Sequence, residues 1–151
     1  MKMRPKFWEK YPLHELFDDE WEALCDGCGV CCLVKFLDDE QVQFTEYTDV
    51  ACQLLDCQTG QCSNYPNRQS VVPDCIRLTA DMLPQMLWLP RHCAYKRLYL
   101  GQKLPSWHRL LHGTTQHQAQ FAKYSVAGRC VSELEFDEAA IEERVVRWVK
   151  I

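Results

Sequence analysis

Cys25-Asp26-Gly27-Cys28-Gly29-Val30-Cys31-Cys32 places four cysteines in eight consecutive positions. Thiols crowd together in this way around a metal, because two-residue gaps let successive thiolates curl about one centre. Gly27 and Gly29 permit left-handed backbone and bring amide N–H groups close to sulfur. The octad reads as half or more of a binding site, and the patterns along the rest of the chain predict an α+β fold: a small single domain in which short helices and a β-hairpin support a metal-ordered cysteine-rich loop.

Cys52, Cys57, Cys62 and Cys75 follow within one stretch, and Cys93 and Cys130 come later, making ten cysteines in 151 residues. A disulfide framework is the first alternative, but this density is below that of small secreted scaffolds, and the chain is longer than they are. The start, Met1-Lys2-Met3-Arg4-Pro5-Lys6, is charged and has no apolar export segment. No apolar run is long enough to span a bilayer. These features predict a cytoplasmic protein, in a compartment where thiols stay reduced and dense cysteine serves metal or redox chemistry.

A hydrophobic content of 47% and five tryptophans suffice for one core, so residues 1–151 are expected to form one domain. The net charge of −4 argues against a nucleic-acid platform, which relies on clustered Lys and Arg. Asp18 or Asp19 is positioned to cap a helix over 20–24 that runs into the cysteine octad. Residues 33–47 alternate around Asp38-Asp39-Glu40, the pattern of a β-hairpin. Residues 50–74 lack helical periodicity and contain Gly60, Pro66 and Pro73, which predicts an irregular loop shaped by its ligands.

Thr79 is placed to cap a helix from Ala80, and Pro90 to open one through Cys93 and Tyr95 that Gly101 closes. Pro105 opens a short turn through Trp107, His108 and Leu111. A strand is expected over 129–136, followed by a helix capped by Asp137 whose apolar residues recur at helical spacing to Trp148 and Val149. This C-terminal strand and helix, about 129–150, read as scaffold.

The chain resembles the YcgN/YkgJ family of cysteine-cluster proteins, which carry a zinc- or iron-chelating CxxCxxCC domain, and it is most similar to the YcgN branch. The resemblance rests on Cys25 to Leu33, Val50-Ala51-Cys52, Cys62-Ser63-Asn64-Tyr65 with Arg68, Pro73-Asp74-Cys75-Ile76, Trp88-Leu89-Pro90, Cys93-Ala94-Tyr95, and the run from Leu104 through Trp107-His108 to Leu111. It covers about residues 18–113. The family pattern carries a cysteine at the position of Gly60; either Cys57 supplies the missing ligand or that ligand is dispensable.

Zinc takes four ligands in a tetrahedron, so this many thiols imply two zinc sites or idle cysteines. Cys25, Cys28 and Cys31 also reproduce the first three spacings of a bacterial ferredoxin run, although position 35 is Lys and no Cys-Pro follows. An iron–sulfur cluster and zinc therefore stand level as cofactors. Cys31 and Cys32 are adjacent, and neighbouring side chains diverge, so one of them serves a second metal, bridges, reacts freely or is simply packed.

The leading reading is a cytosolic metal-binding protein. Cys25, Cys28, Cys31, Cys32, Cys52, Cys62 and Cys75 supply most ligands, Cys57 and Cys93 are candidates for the remainder, and the role is electron transfer or metal handling with a protein or redox partner. The alternatives are a metal-dependent enzyme with an open coordination position, assisted by His108 or Arg68, and a zinc-stabilised protein-interaction module. His108 has an equally simple reading as a satisfied structural histidine, and its spacing to His112 lacks the glutamate of a HExxH motif. Lys35 and Arg68 are candidates to offset thiolate charge or to be ordinary solvated cations, and His14, His92 and His117 lie outside any motif.

Overall fold

The computed structural model describes residues 3–25, 27–38, 40–72, 78–111 and 122–151. Two helices, Phe7–Lys10 (α1) and Asp18–Leu24 (α2), lead into the cysteine octad. Glu20 starts α2: its carboxylate accepts from the Phe17 N–H at 2.9 Å, the Arg4 N–H at 2.9 Å and the Arg4 side chain at 2.7 and 3.0 Å, and it has no solvent exposure. A glutamate reaching back to the residue before the helix replaces the expected aspartate cap. Asp18 and Asp19 instead lie in the first turn, where their charge suits the helix dipole.

The hairpin forms as expected from Leu33–Phe36 (β1) and Glu46–Ala51 (β2), with Leu33 opposite Ala51 and Lys35 opposite Tyr47. Its connection is longer than a tight acidic turn, because Val42–Phe44 adds a 3-10 turn before β2. Tyr47, Thr48, Val50 and Ala51 of β2 are all buried, as its aromatic and β-branched residues favour. A small separate ladder pairs Leu55–Asp56 (β3) with Gln61–Cys62 (β4), and Arg68–Val71 forms a helical turn (α3). The stretch expected to be irregular is thus partly ordered by backbone hydrogen bonds.

Beyond it, residues Ala80–Gln85 form a 3-10 helix that Thr79 does not cap through its side chain. Ala94–Tyr99 (α4) ends near Gly101, whose φ of +79° is the left-handed conformation anticipated there. The expected strand at 129–136 shrinks to Val131–Ser132 (β5), which pairs parallel to β2. Asp137 does cap the last helix, accepting the Ala140 N–H at 2.8 Å, but the helix is only Glu138–Glu142 (α5). The chain then turns into Val145–Val146 (β6), antiparallel to β2 with Tyr47 opposite Val146.

Two β-branched valines and a waiting strand edge overrule the helical periodicity here. Arg144 fixes the turn by gripping Asp49 at 2.8 and 3.0 Å. β2 is therefore the central strand, flanked by β1 on one side and by β5 and β6 on the other. The core on this sheet includes Phe7, Leu24, Val30, Leu33, Tyr47, Leu83, Trp88 and Val126. The result is an α+β fold of short helices and mainly antiparallel strands. Among the described residues no helix is long and apolar enough to cross a membrane.

Three backbone segments meet behind the octad. Gly29 and Gly60 have φ of +78° and +75°, and a Cβ on Gly29 would stand 2.6 Å from Val126 Cγ2 and 2.8 Å from the Gly60 carbonyl oxygen. Gly27 has a similar φ of +79° but open space around its Cα. Gly29→Ala is expected to cost about 2–4 kcal/mol, the left-handed strain of about 1–2 plus overpacking, whereas Gly27→Ala should cost only the strain. Equal losses in urea titrations of the two variants would refute this close approach.

Glu20 gives the fold an acid dependence. The Arg4 hydrogen bonds, with help from the Phe17 and Arg4 N–H groups, hold its carboxyl down to about 2 from an ordinary 4.5. Between those values the unfolded chain binds the extra proton, so this contribution to stability is complete above about pH 4.5 and is lost as pH falls toward about 2. Thermal melts should show Glu20→Gln less stable than the wild type at neutral pH and with a shallower decline in acid. Parallel declines would assign the acid sensitivity to other groups.

Candidate metal centre

α2 delivers Cys25 at its C-terminal end, where backbone carbonyls lack helical partners. His108 and Arg109 satisfy them. The His108 ring is fully buried, its Nε2–H donates to the Leu24 carbonyl at 2.9 Å, and its Nδ1 accepts the Leu110 N–H at 3.1 Å. Arg109 donates to the carbonyls of Ala23 and Cys25. The octad then bends through its left-handed glycines, anchored by buried Val30 and by the Val126 N–H donating to the Cys28 carbonyl at 2.9 Å.

Register brings in the next thiol. With Leu33 opposite Ala51, Cys32 falls beside Cys52, and the Cys52 N–H donates to the Cys32 carbonyl at 2.9 Å. Cys93 arrives from the start of α4, which is tied to α2 by Tyr95: its hydroxyl donates to the Trp21 carbonyl at 2.7 Å, and its ring lies 4.6 Å from the Trp21 ring. Cys25, Cys28, Cys31, Cys32, Cys52 and Cys93 consequently line one open cavity of about 430 Å³.

The cavity walls are largely apolar, with Leu33, Met86, Trp88, Leu89 and Tyr95 among them. Cys25 and Cys31 are exposed, while Cys28, Cys32, Cys52 and Cys93 are half-buried. The adjacent Cys31 and Cys32 both reach the cavity, since Val30–Cys32 is a tight 3-10 turn. Among the described residues no three Cys, His, Asp or Glu side chains form a group placed to hold a metal ion, so the thiols ring a space rather than close on a point. Six soft donors from three segments nevertheless suit a thiophilic metal by their chemistry.

Lys35 is the cation of the cavity. Its Nζ donates to the Cys31 carbonyl at 3.0 Å and lies 4.6 Å from the Trp88 ring centre. Burial lowers its pKa, while the Cys31 and Cys32 sulfurs oppose that shift. The hydroxyl of Tyr47 donates to the Trp88 carbonyl at 2.8 Å, and burial, reinforced by Cys31 and Cys28, raises its pKa. Burial and nearby Cys25 likewise keep Tyr95 neutral. Among the described residues Lys35 and, beside Cys93, Lys96 bring positive charge toward the thiols, while Tyr47 and Tyr95 stay neutral.

Other residues singled out by sequence lie elsewhere. Cys62 sits in β4 outside the cavity lining, and Cys75, His112 and His117 are outside the described residues. Cys57 lies against Cys130, with their sulfurs 2.8 Å apart, and not on the cavity. Gly60 packs tightly against Ser125 and Ala127, so a cysteine at that position would be strained as well as crowded. Arg68 donates to the Tyr65 carbonyl at 2.8 Å and stacks on the Tyr65 ring, away from the cavity.

His108 cannot be a ligand while both ring nitrogens hold backbone groups, which selects its structural reading. His92 stacks near Tyr124, at 4.8 Å between ring centres, and burial lowers its pKa to about 4. Glu133 reaches the cavity rim, a placement without a sequence signal because it depends on β5 pairing beside β2.

Residues 24–94 match the CxxCxxCC family, described as "Putative zinc- or iron-chelating domain". A UPF0260 protein of Pseudomonas entomophila strain L48 is 47% identical over 140 residues, covering 93% of each chain. UPF0260 proteins of Shewanella woodyi and Parvibaculum lavamentivorans are 44% and 46% identical, over 94% of this chain in both cases and 94% and 92% of theirs. No solved structure matches the chain. The shared length extends well beyond the cysteine motif, so the chain belongs to the UPF0260 family of CxxCxxCC-domain proteins.

Proposed function

We propose that this protein is a cytoplasmic thiolate-ligated metal protein, with an iron–sulfur cluster as the centre the cavity suits best and electron transfer to a protein partner as its role. The observation that carries the reading is the convergence of Cys25, Cys28, Cys31, Cys32, Cys52 and Cys93 on one open, apolar-walled cavity. Cys62 and Cys75 remain ligand candidates on the strength of the sequence pattern. One tetrahedral zinc uses four thiolates at about 2.3 Å and leaves no cavity, whereas a cluster occupies a volume and is held by cysteines.

A cluster supplies one-electron chemistry. The residues of the chain would contribute the rest: the cavity cysteines would hold it, Lys35 would offset part of their charge, and apolar Leu33, Trp88 and Leu89 line the same cavity. Exposed Cys25 and Cys31 put the cavity mouth at the surface, where a redox partner can approach. A structural zinc is the second reading, favoured by the left-handed glycines within Cys25-x-x-Cys28-x-x-Cys31, which suit a tight metal knuckle. In either case the metal replaces core that the short elements do not provide.

Anaerobic purification followed by metal analysis, acid-labile sulfide analysis and visible absorption decides between them. Brown protein with iron and matching sulfide is expected; colourless protein with stoichiometric zinc would overturn the cluster and leave a structural role. Cys28→Ser and Cys93→Ser should each lower metal content at least about tenfold, with Cys130→Ser unaffected. Undiminished metal in Cys28→Ser would refute the ligand set. His108→Ala should cost about 1–3 kcal/mol of stability by stranding the Leu24 carbonyl, while metal per folded chain stays constant.

A further inference from the structure

The Cys57 and Cys130 sulfurs lie 2.8 Å apart although the residues are 73 positions apart in sequence, and neither lines the cysteine-ringed cavity. Their meeting is built into the backbone. The Gly128 N–H donates to the Cys57 carbonyl at 2.7 Å, and the Gly60 N–H donates to the Asp56 carbonyl at 2.7 Å, which closes the turn that presents Cys57. Arg129 holds the opposite segment, donating from its side chain to the Ser125 carbonyl and from its N–H to the Val126 carbonyl at 2.8 Å. Cys130 is 9% exposed, while Cys57 is half-buried and meets solvent.

We infer that Cys57 and Cys130 form a thiol–disulfide site, separate from the metal cavity, that is oxidised by a small-molecule disulfide of the glutathione class. The Cys57 thiolate attacks one sulfur of that disulfide and expels the other half as a thiolate, leaving a mixed disulfide on Cys57. The Cys130 thiol loses its proton and displaces the second half. In sum, two protein S–H bonds become one S–S bond, and the oxidant takes up two electrons and two protons as two thiols. Cys57 meets solvent and so takes the first attack, while Cys130, buried behind it, is placed for the second.

The bond would join the turn before β4 to the segment before β5. Val126 of that segment holds the Cys28 carbonyl, and Gly60 of that turn touches Gly29, so oxidation locks the wall against which the cysteine octad rests. A bond closing so long a loop raises stability chiefly by restricting the unfolded chain. Since neither sulfur lines the cavity, the inference does not depend on the metal centre.

The test exposes the purified full-length protein to oxidised glutathione, traps remaining thiols by rapid alkylation, and maps peptides without reduction. The expected result is a peptide pair joined through Cys57 and Cys130, lighter by two hydrogens, formed before disulfides of the octad and reversed by dithiothreitol. The oxidised protein should also melt at a higher temperature than the reduced protein. A persistent glutathione adduct on Cys57, or Cys57 bonded to another cysteine, would overturn the inference. So would loss of metal in the Cys57→Ser, Cys130→Ala double variant, because the two sulfurs would then be ligands; unchanged metal in that variant supports a separate site.

Discussion

The register of β1 on β2 is the constraint on which the cavity depends. Placing Leu33 opposite Ala51 puts Cys32 at the bottom of the octad beside Cys52, with the Cys52 N–H bonded to the Cys32 carbonyl. A slip of one residue would turn buried Tyr47 and Leu33 outward and send the thiols to opposite faces. The register is held from the opposite edge of β2, where β5 pairs at Val50 and Ala51 and β6 at Tyr47 and Thr48. The C-terminal segment therefore stabilises a cavity to which it contributes no cysteine.

A second demand comes with metal binding, which requires the thiols to ionise. Several thiolates in one place repel each other, and an apolar wall strengthens that repulsion. The protein answers with Lys35, with neutral phenols on Tyr47 and Tyr95, and with side-chain donors that engage the backbone around the octad. His108 belongs to that last group. By holding the Leu24 carbonyl it fixes where α2 stops, and hence where Cys25 begins, without approaching the cavity itself.

The hairpin, α2, α4 and the principal cysteine cluster were legible because each carries a local pattern: alternation, an acidic first turn, a glycine stop, and thiol spacing, although α4 starts at Ala94 behind Cys93 and is not opened by Pro90. What escaped depends on distant partners. Glu20 rather than an aspartate caps α2 because Arg4 and Phe17 converge on it. The apolar spacing after Asp137 fits a long helix, yet Val145–Val146 complete β2, an edge invisible in the local sequence. The 50–74 stretch has too few periodic residues to reveal that Leu55 pairs with Cys62.

Cysteine spacing carried information of two kinds, and only one could be read locally. Within the octad, spacing constrains geometry directly, because eight residues cannot place their thiols far apart. Across long gaps it constrains nothing, so Cys57 and Cys93 looked equivalent as spare ligands. Tertiary structure separates them: α4 carries Cys93 to the cavity, whereas the tight turn ending at Gly60 delivers Cys57 to Cys130. The glycine at position 60 is part of that difference, since its left-handed backbone and closeness to Ser125 and Ala127 bring the Cys57 turn against the segment leading to Cys130. A Cβ there would stand 3.0 Å from Ser125 Oγ and 3.3 Å from the Ala127 nitrogen on left-handed backbone, so a glycine at position 60 suits the close approach that brings Cys57 to Cys130.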